Sequence, residues 1–196
     1  RAYFDELAGK FGRQYVPGRS WKGLAEALIK ILNYDVVADL GAGEGTLAQL
    51  LAQRASKVIA VDHSPKMVEF GTTLAKEHSL PNLEYRLGDI EEIPIDDASV
   101  DLAFFSQALH HAAHPPKALK DAHRILKPGG TLVILDLHQH SFDKARELYA
   151  DTWLGFPEAE LAQMIEAEGF SNIETAIVDR EESPPHFQTL LAVARK

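Results

Sequence analysis

The sequence predicts an α/β chain built on a doubly wound, seven-stranded sheet, and three observations predict it. Short apolar runs recur at residues 36–40, 58–61, 83–87, 100–105 and 131–137, each about the length of a buried strand. Between them, apolar residues repeat at helical spacing, and such strand–helix alternation gives a mostly parallel sheet with helices on both faces. Near the end the alternation stops. Residues 173–179 and 187–194 are strand-like runs joined through Ser183-Pro184-Pro185 with no helix between them, which predicts a hairpin whose strand enters the sheet antiparallel.

Each element has a local reason. The first strand ends in Asp39-Leu40 and breaks into Gly41-Ala42-Gly43-Glu44-Gly45, where missing side chains let backbone approach a ligand. Leu47, Leu50 and Leu51 form the next helical stripe, and Met67, Val68, Gly71, Leu74 and Ala75 another. Ser64-Pro65 starts that second helix with a hydroxyl cap and a residue whose absent N–H costs nothing there. Leu119, Ala122, Ile125 and Leu126 make a third stripe, stopped by Lys127-Pro128-Gly129-Gly130. Residues 143–168 read as helices interrupted by Leu154-Gly155-Phe156-Pro157. Residues 1–32 fall outside the alternation and read as a helical cap on residues 33–196. In that cap Trp21, Leu24, Ala25, Leu28 and Leu32 form a stripe that packs on the sheet, and 3–20 reaches over the ligand cleft. The chain opens on Arg1 rather than Met, which reads as a piece of a longer product.

Composition narrows the function. The formal charge of −9 argues against this segment gripping nucleic acid, whose phosphates need a basic surface. Lys10, Arg13, Arg19 and Lys22 form a local basic cluster that reads as a solvated helix face. With no cysteine there is no disulfide, thiolate nucleophile or thiolate metal site, which suits a reducing cytoplasm. No apolar stretch has the length of a membrane-spanning helix.

The glycine loop is the strongest chemical signal. A second apolar run, Val58-Ile59-Ala60-Val61, ends in Asp62, so the neighbouring strand places a carboxylate where a ribose diol would lie. A dinucleotide fingerprint would want glycine at position 46, where Thr46 stands, and a pyrophosphate would want a basic residue in the loop. Both absences tilt away from a nicotinamide oxidoreductase.

From about residue 11 to 196 the chain resembles the class I S-adenosylmethionine-dependent methyltransferases, whose fold is a Rossmann-like seven-stranded sheet ending in an antiparallel hairpin. Asp39-Leu40-Gly41-Ala42-Gly43-Glu44-Gly45 is similar to their first motif, and Val61-Asp62 to the ribose-binding acid. Leu87-Gly88-Asp89-Ile90 resembles the adenine-binding motif. Ser99-Val100-Asp101-Leu102-Ala103, followed by Ala108-Leu109-His110-His111, resembles the fourth-strand motif. Arg124-Ile125-Leu126-Lys127-Pro128-Gly129-Gly130 is similar to the fifth-strand entry of the ubiquinone/menaquinone type. The resemblance implies S-adenosylmethionine as cofactor, with Gly41 and Gly43 under its methionine moiety and Asp39 steadying the loop amides. It implies Asp62 on the ribose hydroxyls, Met67 near the adenine, Asp89 and Ile90 on the adenine edge, and Ser106 facing the methionine portion. For Asp89 a turn-capping role after Gly88 is the alternative. Phe11-Gly12-Arg13 through Trp21, and the run from Phe105 to Pro115, are closest to methyltransferase domains fused behind an ArsR-type winged-helix DNA-binding domain, which implies such a partner domain in the parent chain.

The methyl acceptor is not legible beyond being a small molecule. Methyl transfer from a sulfonium needs alignment and exclusion of water, with a general base only for a weakly acidic acceptor. His110, His111, His114, His138 and His140 follow strands four and five at the sheet's carboxyl edge. His110 and His111 are the candidates for a base or acceptor-orienting role. His138 and His140, with His186, raise a divalent metal site whose geometry no spacing specifies, so no metal ligand is assigned. His63, His78 and His123 read as structural or solvent-facing. Tyr15 and Arg19 are candidates to close over the cofactor, Arg19 through a bidentate contact with its carboxylate. Trp153 and Phe156 are candidate acceptor-pocket walls. Lack of cysteine disfavours arsenite methylation. A module sensing S-adenosylmethionine for a fused regulator is the alternative function, and a homodimer is compatible with either.

Overall fold

The computed structural model describes residues 33–196; the expected cap 1–32, with its Trp21-to-Leu32 stripe, lies outside the described residues. The described chain runs β1 (Tyr34–Leu40), α1 (Thr46–Ala52), β2 (Ala55–Asp62), α2 (Pro65–Glu77), β3 (Leu83–Leu87) and β4 (Val100–Ser106). A single 3-10 turn (Leu109–His111) leads to α3 (Pro115–Ile125), β5 (Leu126–Leu137), α4 (Ala145–Leu148), α5 (Glu158–Ala167), β6 (Ser171–Arg180) and β7 (Gln188–Arg195).

The seven strands form one sheet in the order β3-β2-β1-β4-β5-β7-β6. Pairing is parallel from β3 through β5, and β7 lies antiparallel between β5 and β6. Strand order reverses between β1 and β4, which leaves a crevice at their carboxyl ends, where ligands bind in open α/β sheets.

Alternation along the central strands assigns the two faces. Val37, Val58 and Ala60 pack with Ala48, Leu51 and Ala52 of α1 and Ala75 of α2 on one face. Ala38, Leu40, Ile59 and Val61 pack on the other with Leu119, Ala122 and Ile125 of α3 and Leu161 and Ile165 of α5. The third predicted stripe is therefore buried throughout, from Leu119 to Leu126. The first is centred one position from its prediction, on Ala48, Leu51 and Ala52, because α1 turns its Leu47 and Leu50 edge partly outward. In the second, Gly71 and Ala75 are buried while Met67 is exposed. Ser64 caps α2 as expected, its side chain accepting from the Met67 amide at 3.4 Å.

Two predicted boundaries move for tertiary reasons. β5 begins at Leu126 rather than at 131, because Leu126 pairs with Val100 before the register shifts and resumes at Leu102↔Thr131. The Lys-Pro-Gly-Gly turn lies inside that irregularity, tied to the chain end by Gly129 N→Lys196 O and Lys196 N→Gly130 O, both 3.0 Å. Residues 143–168 hold less helix than expected: α4 is one turn, and 149–157 is irregular because it runs beside the end of β5. Phe156 N donates to Leu137 O at 2.9 Å and His140 N to Leu154 O at 3.0 Å.

Candidate functional site

A cavity of about 270 Å³ opens at the carboxyl ends of β1, β2 and β4, lined by Gly41, Asp62, His63, Asp89, Ile90, Glu91, Gln107, Ala108, His111, Ala112 and Ala113. Five predicted site residues therefore meet there: Gly41, Asp62, Asp89, Ile90 and His111. Its size is just below the usual range for small-molecule sites, roughly 300–1,000 Å³.

The glycine loop is shaped by contacts that only glycine permits. Gly41 has φ +77°, and a Cβ there would fall 2.5 Å from that of Ala108. Its amide and that of Ala42 both donate to Val61 O, at 2.8 and 3.0 Å, which clamps the loop to β2. At Gly45 a Cβ would collide with the Tyr85 hydroxyl. At Gly43 an added Cβ meets nothing within 4 Å, so that part of the loop faces open space.

Asp62 holds the loop rather than Asp39. Its Oδ2 accepts from the Gly43 amide and its Oδ1 from the Ser64 amide, both at 2.8 Å. Asp39 instead lies beneath, 1% exposed, with Oδ2 buried and unpartnered. Burial pushes its carboxyl up to about 7, against a lowering hydrogen bond from the Ala48 amide and with the Asp62 charge adding to the rise. Steadying of the loop amides thus falls to Asp62, because Asp39 points to α1. Asp89 is exposed, and its Oδ1 caps the following turn by accepting from the Glu91 amide at 2.8 Å. It thus holds the turn and lines the cavity at once. Gly43, Met67 and Ser106 do not line the cavity: Gly43 reaches it through Asp62, Met67 is 38% exposed at the start of α2, and Ser106 is the last residue of β4. Tyr15 and Arg19 lie outside the described residues.

The two adjacent histidines separate in environment. His110 is 4% exposed and held by carboxylates on both sides. Its Nδ1 lies 2.7 Å from Asp136 Oδ1 and its Nε2 3.5 Å from Asp151 Oδ1. Burial lowers its pKa, but the Asp136 hydrogen bond and the charges of Asp136 and Asp151 outweigh it and raise the pKa above the ordinary value. Asp136 also accepts from the amides of Leu109 and Leu137, at 2.9 and 2.7 Å, so one carboxylate joins β5 to the turn after β4. His111 lies in the cavity lining, its ring centroid 3.9 Å from that of His110. Its Nδ1 meets Ala150 O at 3.2 Å, which makes Nδ1 the protonated nitrogen and leaves Nε2 free. Burial and then the His110 charge hold its pKa below the ordinary value.

The remaining aromatic and histidine candidates divide. Phe156 is core, while Trp153 straps the turn after β4 through Nε1→Ala112 O at 2.9 Å; neither lines the cavity. His138, His140 and His186 do not gather with a third ligand among the described residues: His140 stacks edge-on to Phe187 and His186 bonds Glu181 O. His63, expected to be solvent-facing or structural, stands in the cavity lining. Sequence reasoning also missed Gln107, Asp136 and Asp151. Asp136 had a signal: it continues the core-facing alternation Leu132, Ile134, where a carboxylate must be paired. Gln107 (φ +52°) and Asp151 sit in irregular backbone and had none.

A doubly wound sheet with a clamped glycine loop, a strand-end acid and a cavity at the switch point defines a nucleoside-binding α/β domain. Residues 38–134 match the family model described as a methyltransferase domain. The ubiquinone/menaquinone biosynthesis C-methyltransferase of Methylococcus capsulatus is 30% identical over 168 residues, covering 80% of this chain and 68% of that protein. An uncharacterized 37.1 kDa transposon protein of Streptomyces fradiae is 36% identical, covering 68% of this chain and 37% of its own length. A putative methyltransferase structure from Bacillus halodurans is similar in fold, with a TM-score of 0.71 at 19% identity, covering 91% of this chain and 99% of that one. The chain belongs to the class I S-adenosylmethionine-dependent methyltransferase family. It spans 37 to 64% of the length of several curated relatives it matches. No helix among the described residues is long and apolar enough to cross a membrane.

Proposed function

We propose that this chain transfers the methyl group of S-adenosylmethionine to a small-molecule acceptor. The observation that carries the reading is the convergence of Gly41, Asp62, Asp89, Ile90 and His111 on one cavity at the switch point. When bound, the donor supplies an electrophilic methyl on a sulfonium; the acceptor–carbon bond forms as the carbon–sulfur bond breaks, and the electron pair stays on sulfur.

The chain's own residues do the rest. Asp62, immobilised by two backbone amides, accepts from the ribose hydroxyls with its remaining lone pairs. Asp89 and the Ile90 amide take the adenine edge. Ala108, Ala112 and Ala113 present methyl groups in the lining, which keeps water from solvating the cation. His111 orients the acceptor through Nε2, its neutral form favoured by burial and by the charge beside it. His110 acts behind it, holding the turn. Relatives are named for ubiquinone/menaquinone biosynthesis and for a malonyl acyl-carrier protein, so membership leaves the acceptor open.

Calorimetry with S-adenosylmethionine, its demethylated product and NAD tests the site. Binding of the first two and not NAD is expected, and Asp62→Ala should weaken both at least tenfold, about 1.4 kcal/mol; an unchanged affinity would sink the assignment. Turnover on candidate acceptors tests the reaction. Tight binding without turnover on any of them would favour the module of a winged-helix regulator.

A further inference from the structure

Behind the cavity lies a second arrangement that methyl transfer does not require. One ligating atom from each of His110, His111 and Asp151 can be chosen so that all lie within 4.8 Å of one another. We propose that His110 Nε2, His111 Nε2 and the Asp151 carboxylate bind one divalent transition-metal ion of the zinc class, with its open coordination position toward the cavity.

Three features support a built site. First, the surrounding hydrogen bonds leave the correct nitrogens free. His110 Nδ1 is held by Asp136 Oδ1 at 2.7 Å and His111 Nδ1 by Ala150 O at 3.2 Å. Ligating imidazoles characteristically donate their other N–H to a carboxylate or a backbone carbonyl. Second, Asp151 is 5% exposed and its Oδ2 is buried without a hydrogen-bond partner. An unpaired carboxylate oxygen is costly in the interior unless a cation or donor meets it. Third, one pair already stands near ligand spacing. Ligands about 2 Å from a shared tetrahedral ion stand roughly 3.3 Å apart, and His110 Nε2 to Asp151 Oδ1 is 3.5 Å.

Two imidazoles and one carboxylate make a three-ligand set of the kind that leaves a position open. His111 is the ligand shared with the cavity lining, so an oxygen or nitrogen of the acceptor would meet the ion there. His111 then orients the acceptor through the metal. His140 Nε2 is also buried and unpartnered, but its Nδ1 accepts the Phe142 amide at 3.2 Å. That places the proton on Nε2 and excludes it from the ligand set.

The test is a titration of the chelator-stripped full chain with Co²⁺, read by visible absorption and displaced by Zn²⁺. One equivalent with low-coordinate Co²⁺ bands is expected. Asp151→Asn and His111→Ala should each weaken it at least tenfold while circular dichroism shows the fold intact. Absence of stoichiometric Co²⁺ binding, or binding that both folded variants retain, would overturn the site. Calorimetry with S-adenosylmethionine on Asp151→Asn separates this from the donor site: unchanged donor affinity with lost Co²⁺ is the expected pair of results, and loss of both would make Asp151 a structural residue.

Discussion

The two sides of this cleft, which the proposed function makes the donor side and the acceptor side, are built by different means. On the donor side the glycine loop is fixed by backbone amides on the carbonyl of Val61 and by Asp62, whose bond to Gly43 spans 19 residues. On the acceptor side the bonds are longer in sequence and made by side chains: His110 to Asp136 across 26 residues and Thr152 to the His111 carbonyl across 41. The first is a local device, built where a strand end breaks into a glycine loop at the switch point. The second depends on buried carboxylates in β5 and in the irregular loop after α4.

The histidine side depends most heavily on Asp136. Replacing it with Ala strips the His110 ring and three backbone amides of their buried acceptor, and should lower unfolding stability by about 3–5 kcal/mol in urea titration. A loss below 1 kcal/mol would show that the acceptor wall does not depend on this carboxylate. Gly41→Ala attacks the donor side. The new Cβ meets Ala108 at a residue with φ +77°, so a cost of about 2–4 kcal/mol is expected, together with loss of donor binding by calorimetry.

The third effect is a slope, small over any single pH step. Asp39 keeps its proton up to about pH 7 in the fold but gives it up near 4 when unfolded. Between those values the folded state holds a proton the unfolded chain has lost, so this group's contribution to stability falls as pH rises, by up to about 1.4 kcal/mol per unit. Above pH 7 no further loss comes from this group. Asp39→Asn, which mimics the neutral acid, should flatten melting temperature against pH across that window. A slope identical to the wild type would mean Asp39 is ionised throughout.

The same contrast explains how much was readable. Seven strands, their order of appearance, the Ser64 cap and the antiparallel tail were legible because period, caps and turn residues act over a few neighbours. Of the cavity lining, Gly41, Asp62, Asp89 and Ile90 were legible for the same reason: each stands at or just past the end of a strand. His111 was found only as one of an adjacent pair, and nothing local separates it from His110. Burial does, through Asp136 and Asp151. Loop support was read onto Asp39 when Asp62 provides it, since which strand-end acid turns toward the loop depends on how β1 and β2 sit against α1. The start of β5 moved to Leu126 because pairing with Val100 outweighs the Pro-Gly-Gly signal.

The layered α/β architecture and the place of the glycine loop in it were legible from the chain alone, because hydrophobic period and backbone freedom at glycine are properties of short stretches. Only the tertiary structure decided which histidine faces the cavity, which aspartate holds the loop, and that Asp151 comes to rest against His110. Those outcomes depend on desolvation and on charges brought together from distant segments, and neither exists until the sheet has closed around them.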